Sequence, residues 1–379
     1  MLKTITLKST ITNDDYTDYV YSTFDIQDKQ QTITKIPMDL DDLDKFEWSI
    51  GLIVGGSGSG KSTILNYLGG MREANFDENK PLISNFSWLS PEEASKVLMS
   101  IGLSSIPAWL RPYNLLSNGE QYRAKLAYLI SSAAEDEIIL IDEYTSFVDR
   151  DVAKAMSFAL QKYIRKSGKK IILASCHSDI IEWLLPDWTC SPLKGGGIER
   201  ADCLRQRPSI ELQAHRVEYD TWDFFKKHHY LTEDVSKSCK FFLFTWNNKP
   251  VGINCVIPQP SGYFKKGVRE SRIVVLPEYQ GLGLGTIISE WTASIYKDSG
   301  YKYFTKTVHP GLGNYRNAHP EKWKPTSKNG IYQSDKNDNS MGNWAIKRRK
   351  SFCHEYIGNG VSGQERLLLP VSDLRKVCV

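Results

Sequence analysis

The chain has 379 residues, 41% apolar and 24% charged, an ordinary globular composition with room for two or three domains. It has no apolar run of the roughly 18 residues that a spanning helix needs. Its N-terminus, MLKTITLKSTITNDDY, lacks the basic-then-apolar form of a secretion signal, and seven scattered cysteines without a CxxC pair fit a reduced cytoplasm better than a zinc cage or disulfide framework.

A net charge of +4 hides an asymmetry: residues 1–200 hold 21 Lys+Arg against 27 Asp+Glu, while residues 201–379 hold 27 against 17. The second half should therefore attract anions. In chain order, WSIGLIVGG (48–56) reads as a buried strand, and KSTILNYL (61–68) as a helix stopped by Gly69-Gly70. GEQYRAKLAYLISSAA (119–134) has apolar residues at helical spacing, and EIILID (137–142) is a short buried strand. VAKAMSFALQKYIRK (152–166) is an amphipathic helix, and KIILASC (170–176) is another buried strand. This βαβ rhythm predicts an α/β domain whose mainly parallel sheet is covered by helices.

The first strand-to-helix turn is GGSGSGKS, which satisfies G-x-x-x-x-G-K-[ST] in the context that motif requires. Gly55, Gly56, Gly58 and Gly60 let backbone N–H groups turn toward phosphate oxygens, and Thr63 joins them at the helix N-terminus. Lys61 should reach the β- and γ-phosphates of ATP, and Ser62 should hold Mg²⁺. The strand EIILID then delivers Asp142 as a second Mg²⁺ ligand, and Glu143 follows as the group that polarises an attacking water.

Between these elements, Leu116-Ser117-Asn118-Gly119-Glu120-Gln121 resembles the signature motif of ABC-type ATPases, usually LSGGQ. TSFVD (145–149) resembles that family's D-loop, ending in Asp149, and His177 stands where the family keeps its switch histidine. The resemblance covers about residues 30–195. It implies that Ser117 and Gly119 contact the γ-phosphate of ATP bound to a second copy, hence an ATP-sandwiched homodimer. Asn118 replaces the second glycine, Glu120 stands at the glutamine position, and no glutamine lies between Lys61 and Gln121. With the family's Q-loop residue missing or replaced, a soluble ABC ATPase is expected and not a transport cassette.

SPLKGGGIERADCLRQRPSI (191–210) marks a linker or a domain-edge hairpin, dividing the chain into domains 1–200 and 201–379. Beyond it, FFLFTWNNKPVGINCVI (241–257) is a hairpin signal, followed by a strand at 271–279, a helix at 286–300 and a strand at 301–308. The segment 325–343 reads as a long surface loop. The run VLPEYQGLGLGT places glycines 281, 283 and 285 before the helix, and Gln280-x-x-Gly283-x-Gly285 fits [QR]-x-x-G-x-[GA]. A Rossmann loop is the rival, but it needs G-x-G-x-x-G and an acid after the next strand, and neither is present.

The second half is therefore similar to α+β GNAT acyltransferases over about residues 210–320. The resemblance implies that Val275, Gln280, Gly281, Gly283, Gly285 and Thr286 bind acetyl-CoA or another acyl-CoA. It also implies a strand that splays from its neighbour to admit the pantetheine arm. His228, His229 and Tyr315 are candidate proton-transfer groups, Tyr315 as the acid for a departing thiolate.

Residues 301–350 carry 11 Lys+Arg against 3 acids, densest at Lys347-Arg348-Arg349-Lys350, with Tyr315, Trp323, Tyr332, Trp344 and Phe352 interleaved or following. Basic groups neutralise phosphates and aromatic faces stack on bases, so nucleic acid is the expected acceptor. The whole arrangement resembles ABC-ATPase–acetyltransferase fusions of archaea and phages. HYL, LPEYQGLGLG and the basic tail are similar to Mom-type phage proteins that modify DNA bases. Acylation of a protein or small-molecule amine, and a non-enzymatic DNA clamp with a degenerate acyltransferase fold, are the alternatives.

Overall fold

The computed structural model describes residues 3–24, 31–40, 43–201, 208–229, 234–260, 262, 265–333 and 349–369. The chain forms two compact units. One comprises Met1–Phe76 with Ser117–Pro208, the other Asp77–Leu116 with Ser209–Val379. The chain thus leaves the first unit after Phe76 and re-enters it at Ser117. The sequence-based division at 200 had assigned residues 77–116 to the first domain.

The first unit opens with an antiparallel pair, β1 (Lys3–Thr10) and β2 (Gln31–Met38), joined through helix α1 (Asp15–Phe24). Strand β3 (Ile50–Val54) runs into the glycine loop and then α2 (Lys61–Leu68). The excursion into the second unit carries α3 (Pro91–Ser100) and α4 (Ile106–Trp109). A Ser90/Glu93 capping box and a proline at the first helical position start α3.

Back in the first unit come α5 (Asn118–Ser132), β4 (Ile138–Ile141), α6 (Arg150–Ser167), β5 (Lys170–Ser175) and α7 (Ile181–Leu184). β6 (Trp188–Cys190) and β7 (Ile198–Arg200) close the unit as an antiparallel pair, so the predicted boundary begins as a domain-edge hairpin. The sheet order is β4-β5-β3-β6-β7. β3 pairs in parallel with β5 and β6, and β4 in parallel with β5. Ile53, Ile64, Leu65, Ile172 and Ala174 are buried together between this sheet and α2. Parallel strands covered in this way read as unbroken apolar runs, which is why they were legible.

The second unit is built on a sheet ordered β13-β16-β12-β11-β10-β9-β8. Its elements are β8 (Gln213–Val217), α8 (Trp222–Phe225), β9 (Lys240–Trp246), β10 (Lys249–Pro258), β11 (Gly267–Val275), α9 (Leu284–Asp298), β12 (Lys302–Thr307), α10 (Pro310–Ala318), β13 (Trp323–Pro325) and β16 (Phe352–Tyr356). A two-residue ladder, β14 (Tyr332–Gln333) with β15 (Arg349–Lys350), lies apart from it. Asn247 and Asn248, at φ 49° and 62°, make the tight turn between β9 and β10 that the Asn-Asn sequence favours.

β11 and β12 pair in parallel from Gly267↔Lys302 to Glu270↔Thr305, while β11 runs on to Val275. At the same place β10 keeps antiparallel register with β11 only by a shift, with Cys255 opposite Arg272 and Val256 opposite Glu270. One extra residue, Ser271, therefore bulges β11 where its pairing with β12 stops, and a bulge bends and twists its strand. β12 itself runs on to Thr307, so both strands continue past their last pair, as the expected splay requires. The sheet reaches beyond the predicted 210–320, because β16 pairs with both β12 and β13.

Candidate functional sites

The glycine loop of the first unit holds its lysine ready. Lys61 Nζ donates to Gly55 O at 2.8 Å and Gly56 O at 2.9 Å, so the ammonium sits over the loop's own carbonyls. Gly60, the residue before α2, has φ 93°, and a Cβ there would lie 2.6 Å from Ile36 Cδ1. Conformation and space both require glycine at this point. Three strand ends converge beside the loop. Gly55 N–H donates to Ser175 O, Tyr144 N–H to Ala174 O, and Ser175 Oγ to Tyr144 O. His177 N–H donates to Ser175 Oγ, which places the histidine at the same edge.

Asp142 follows β4 half-buried, and its Oδ1 accepts the Glu143 N–H at 2.8 Å. Glu143 is exposed and has φ 50°, and Thr145 has φ 68°. Left-handed backbone at non-glycine residues costs energy and gathers at functional sites. Here it is held by Tyr144, fully buried between them, whose hydroxyl meets Ser157 Oγ at 3.0 Å.

Ser117 and Asp149 act as helix caps. Ser117 Oγ accepts from Glu120 N–H, while Glu120 Oε2 accepts from Ser117 N–H at 3.0 Å and from Ser117 Oγ at 2.9 Å. The glutamate that departs from LSGGQ thus closes a capping box on α5. In this conformation the Ser117 N–H and hydroxyl serve that box. They are not open to a phosphate unless Glu120 lets go. Gly119 lies against Val152 of α6, and Asp149 Oδ1 accepts from Asp151 N–H and Val152 N–H at the start of that helix.

In the second unit, β11 ends beside the other glycine loop. Gly283 precedes α9 with φ 78°, and Thr286 Oγ1 donates to Gly283 O at 2.7 Å. The N–H groups of the first helical turn have no partner within the helix, which suits them to a pyrophosphate. A Cβ at Gly285 would lie 3.8 Å from Val275 Cγ2 and 3.9 Å from Leu312 Cδ2, so strand end, loop and α10 meet here. The Gln280 side chain turns away from a ligand role. Its Nε2 donates to Val275 O at 3.1 Å, and its Oε1 accepts from Ser104 N–H at 2.9 Å.

Tyr315 lies one turn along α10 from Leu312. Its hydroxyl donates to Glu290 Oε1 at 2.8 Å, and its ring stacks on His319 at 4.0 Å. Burial and the Glu290 carboxylate raise its pKa, so the phenol stays protonated near neutral pH. His229 is buried edge-on to Trp222, and burial lowers its pKa to about 4.

A network absent from the sequence-based expectations lies where β11 and β12 part. Glu270 and Arg316, 6% and 1% exposed, form an ion pair at 2.7 Å. Ser289 Oγ donates to Glu270 Oε2 at 2.6 Å and Tyr303 OH to the same oxygen at 3.2 Å, while Arg316 also donates to Ser289 Oγ. The signal was weak, because Glu270 lies within Arg269-Glu270-Ser271-Arg272, where an acid reads as one more surface charge. His354, fully buried, donates from Nε2 to Asn317 Oδ1 at 2.8 Å, and burial lowers its pKa to about 4.

The basic, aromatic tail is corrected in part. Trp323 and Phe352 are 1% and 4% exposed, so they are sheet core and not platforms for bases. Trp323 meets Tyr356 edge-on at 4.9 Å with Arg316 over its ring, and Phe352 packs against Gly313 of α10. Arg316, Lys322 and Lys302 are paired with Glu270, Glu290 and Glu355. Lys324, Lys328 and Lys350 are exposed, as is Tyr332. Lys336, Trp344, Lys347, Arg348, Tyr230 and Leu231 lie outside the described residues. No helix among the described residues is long and apolar enough to cross a membrane.

Residues 204–317 match the family model described as acetyltransferase (GNAT) family. No curated protein matches the chain. Among solved structures, a bacterial ABC transporter cassette in dimeric form is similar at 16% identity, over 45% of this chain and 92% of that one, with a TM-score of 0.34. A second ABC protein, cbiO1 from Clostridium perfringens, is 19% identical over 44% of this chain and 79% of that one, with a TM-score of 0.33. A GNAT family acetyltransferase from Elizabethkingia anophelis, with acetyl-CoA bound, is 16% identical over 38% of this chain and 95% of that one, with a TM-score of 0.28. The chain thus joins a unit whose parallel sheet carries a strand, a glycine loop and a helix to a unit in which residues 204–317 match the GNAT acetyltransferase family.

Proposed function

We propose that the protein is an ATP-hydrolysing ABC-type ATPase coupled to an acyl-CoA-dependent N-acyltransferase whose acceptor is an amine on a nucleic-acid base. The carrying observation is the loop Gln280–Gly285 at the start of α9, set beside a strand that bulges at Ser271 and stops pairing with its parallel neighbour. That arrangement offers N–H groups to a pyrophosphate and an opening in the sheet to a thioester arm.

The acceptor nitrogen forms a bond to the thioester carbonyl carbon, and the C–S bond breaks. The amine loses a proton to solvent, and the departing thiolate takes one. Tyr315, kept protonated beside Glu290, is the donor on α10.

In the first unit, Lys61 exchanges its carbonyl partners for the β- and γ-phosphates of ATP. The Ser62 hydroxyl and the Asp142 carboxylate fit Mg²⁺, a hard cation that takes oxygen ligands and keeps several waters. When bound, the metal neutralises phosphate charge. Glu143, exposed after β4, would orient the attacking water, and His177, which follows β5, would act with it. One P-loop and one signature per chain support a homodimer that completes each site from two copies, with Ser117, Gly119 and Asp149 facing the other copy's nucleotide.

Base modification rests on the positive charge of residues 201–379 and on exposed Lys324, Lys328 and Lys350. The internal pairing of Lys302, Arg316 and Lys322 favours the second reading, an amine on a protein or small molecule. Mass spectrometry of nucleosides from cells with and without the protein separates them. An added acyl mass on one nucleoside is expected, and identical nucleosides in both samples would exclude base modification.

A further inference from the structure

The segment 77–116 is drawn from the middle of the ATPase sequence, yet it belongs to the same compact unit as the acyltransferase fold. Its contact with that fold is specific. The stretch after α3 packs on the glycine loop itself. Gly102 has φ 87°, and a Cβ placed there would lie 2.9 Å from Gln280 O and 3.5 Å from Gly281 Cα. Two residues on, Ser104 N–H donates to Gln280 Oε1 at 2.9 Å. The other end of that amide, Nε2, donates to Val275 O at 3.1 Å. A Cβ at Gly311, at the start of α10, would lie 3.9 Å from Met99 Sδ, so α3 and the start of α10 also meet.

The Gln280 amide therefore ties three things together: the end of β11, the start of the loop, and the backbone of the ATPase-derived segment. Backbone carbonyls do not move aside as a flexible side chain does, so Gly102 fixes how closely that segment seats on the Gln280–Gly281 peptide. Gly102 is strained for any other residue and crowded by main chain, which is the signature of a close backbone approach.

We infer that Gly102, Ser104 and Gln280 are positioning residues for the acyl-CoA pyrophosphate loop, and that residues 77–116 form its outer support. The inference rests on the assignment of that loop to acyl-CoA. The loop then presents its N–H groups at the angle the support sets, and Gln280 acts through its amide clamp and not as a ligand. Groups that position a loop for a ligand's phosphates change ground-state and transition-state binding alike, so KM moves and kcat does not.

The test uses the full chain with acetyl-CoA and the nucleoside acceptor identified by mass spectrometry, or a generic primary amine if acylation is seen there instead. Gly102→Ala and Gln280→Met are compared with wild type, each checked for an unchanged unfolding midpoint. About a tenfold rise in KM for acetyl-CoA is expected in both, with kcat within twofold and the acceptor KM unchanged. If Gly102→Ala does not fold, Gln280→Met decides alone. A folded variant with wild-type KM overturns the inference, and so does an equal loss in kcat. If wild type itself shows no acetyl-CoA binding by calorimetry, the acyl-CoA assignment fails first, and the two failures are told apart.

Discussion

Tyr315 shows how a single side chain depends on its neighbours. From the sequence it is a tyrosine after a strand, equally suited to packing or to catalysis. The structure places it on α10, with its hydroxyl on Glu290 and Lys322 on the other oxygen of the same carboxylate. Burial and a nearby negative charge both favour the protonated phenol, which keeps the proton on the oxygen but makes it harder to give up, so a proton delivered from Tyr315 depends on position and not on acidity. Tyr315→Phe is expected to lower kcat by about 10²-fold, the scale of a lost general acid, with the acetyl-CoA KM unchanged. Steady-state kinetics with saturating acceptor checks this, and a wild-type kcat would remove Tyr315 from the chemistry. None of its partners was legible in the sequence, since Glu290 and Lys322 approach it only after α9 and α10 pack.

At the scale of an element, α5 explains a departure from a family pattern. Glu120 stands where the ABC signature has glutamine, and the structure uses it as the reciprocal half of a capping box with Ser117. The S-x-x-E spacing is visible in the sequence, but it overlaps the signature-like run 116–121, and the two patterns share Ser117 and Glu120. Removing the box in Glu120→Ala is expected to cost about 1–2 kcal/mol of unfolding free energy, as cap losses do. Glu120→Gln keeps a side chain that can still close the box, and should stay within about 0.5 kcal/mol of wild type. Denaturant titration of both variants checks the pair. Equal losses in the two would mean that the carboxylate's charge at the helix N-terminus matters more than the cap.

For the whole molecule, the division of the chain matters most. The helices between the P-loop and Ser117 group with the sheet of the second unit, and the chain re-enters the first unit at Ser117, the cap of α5. Ser117 is one residue in sequence from the end of segment 77–116, so on the proposed reading a nucleotide event at Ser117 would adjoin the segment inferred to support the acyl-CoA loop. With one P-loop and one signature per chain, Glu143→Gln with saturating ATP is expected to double its mass in light scattering, because hydrolysis no longer ends the closed state. A strictly monomeric variant under those conditions would count against the ATP-sandwiched dimer.

The sequence by itself determined the local units. Parallel strands covered on both faces are continuous apolar runs, a P-loop is a fixed spacing of glycines before Lys-Ser, and a tight hairpin needs residues such as Asn247-Asn248 that tolerate positive φ. Each is a rule about neighbours along the chain, so each could be read from it. Tertiary structure alone decided the rest. Glu270 meets Arg316 across 46 positions, Ser104 meets Gln280 across 176, and Trp323 and Phe352 leave the expected nucleic-acid face for the core. Those outcomes depend on which distant segments share a sheet or a loop. Burial, and not composition, then determines whether an arginine serves as a surface charge or an ion-pair partner, and whether an aromatic stacks on a ligand or fills a core.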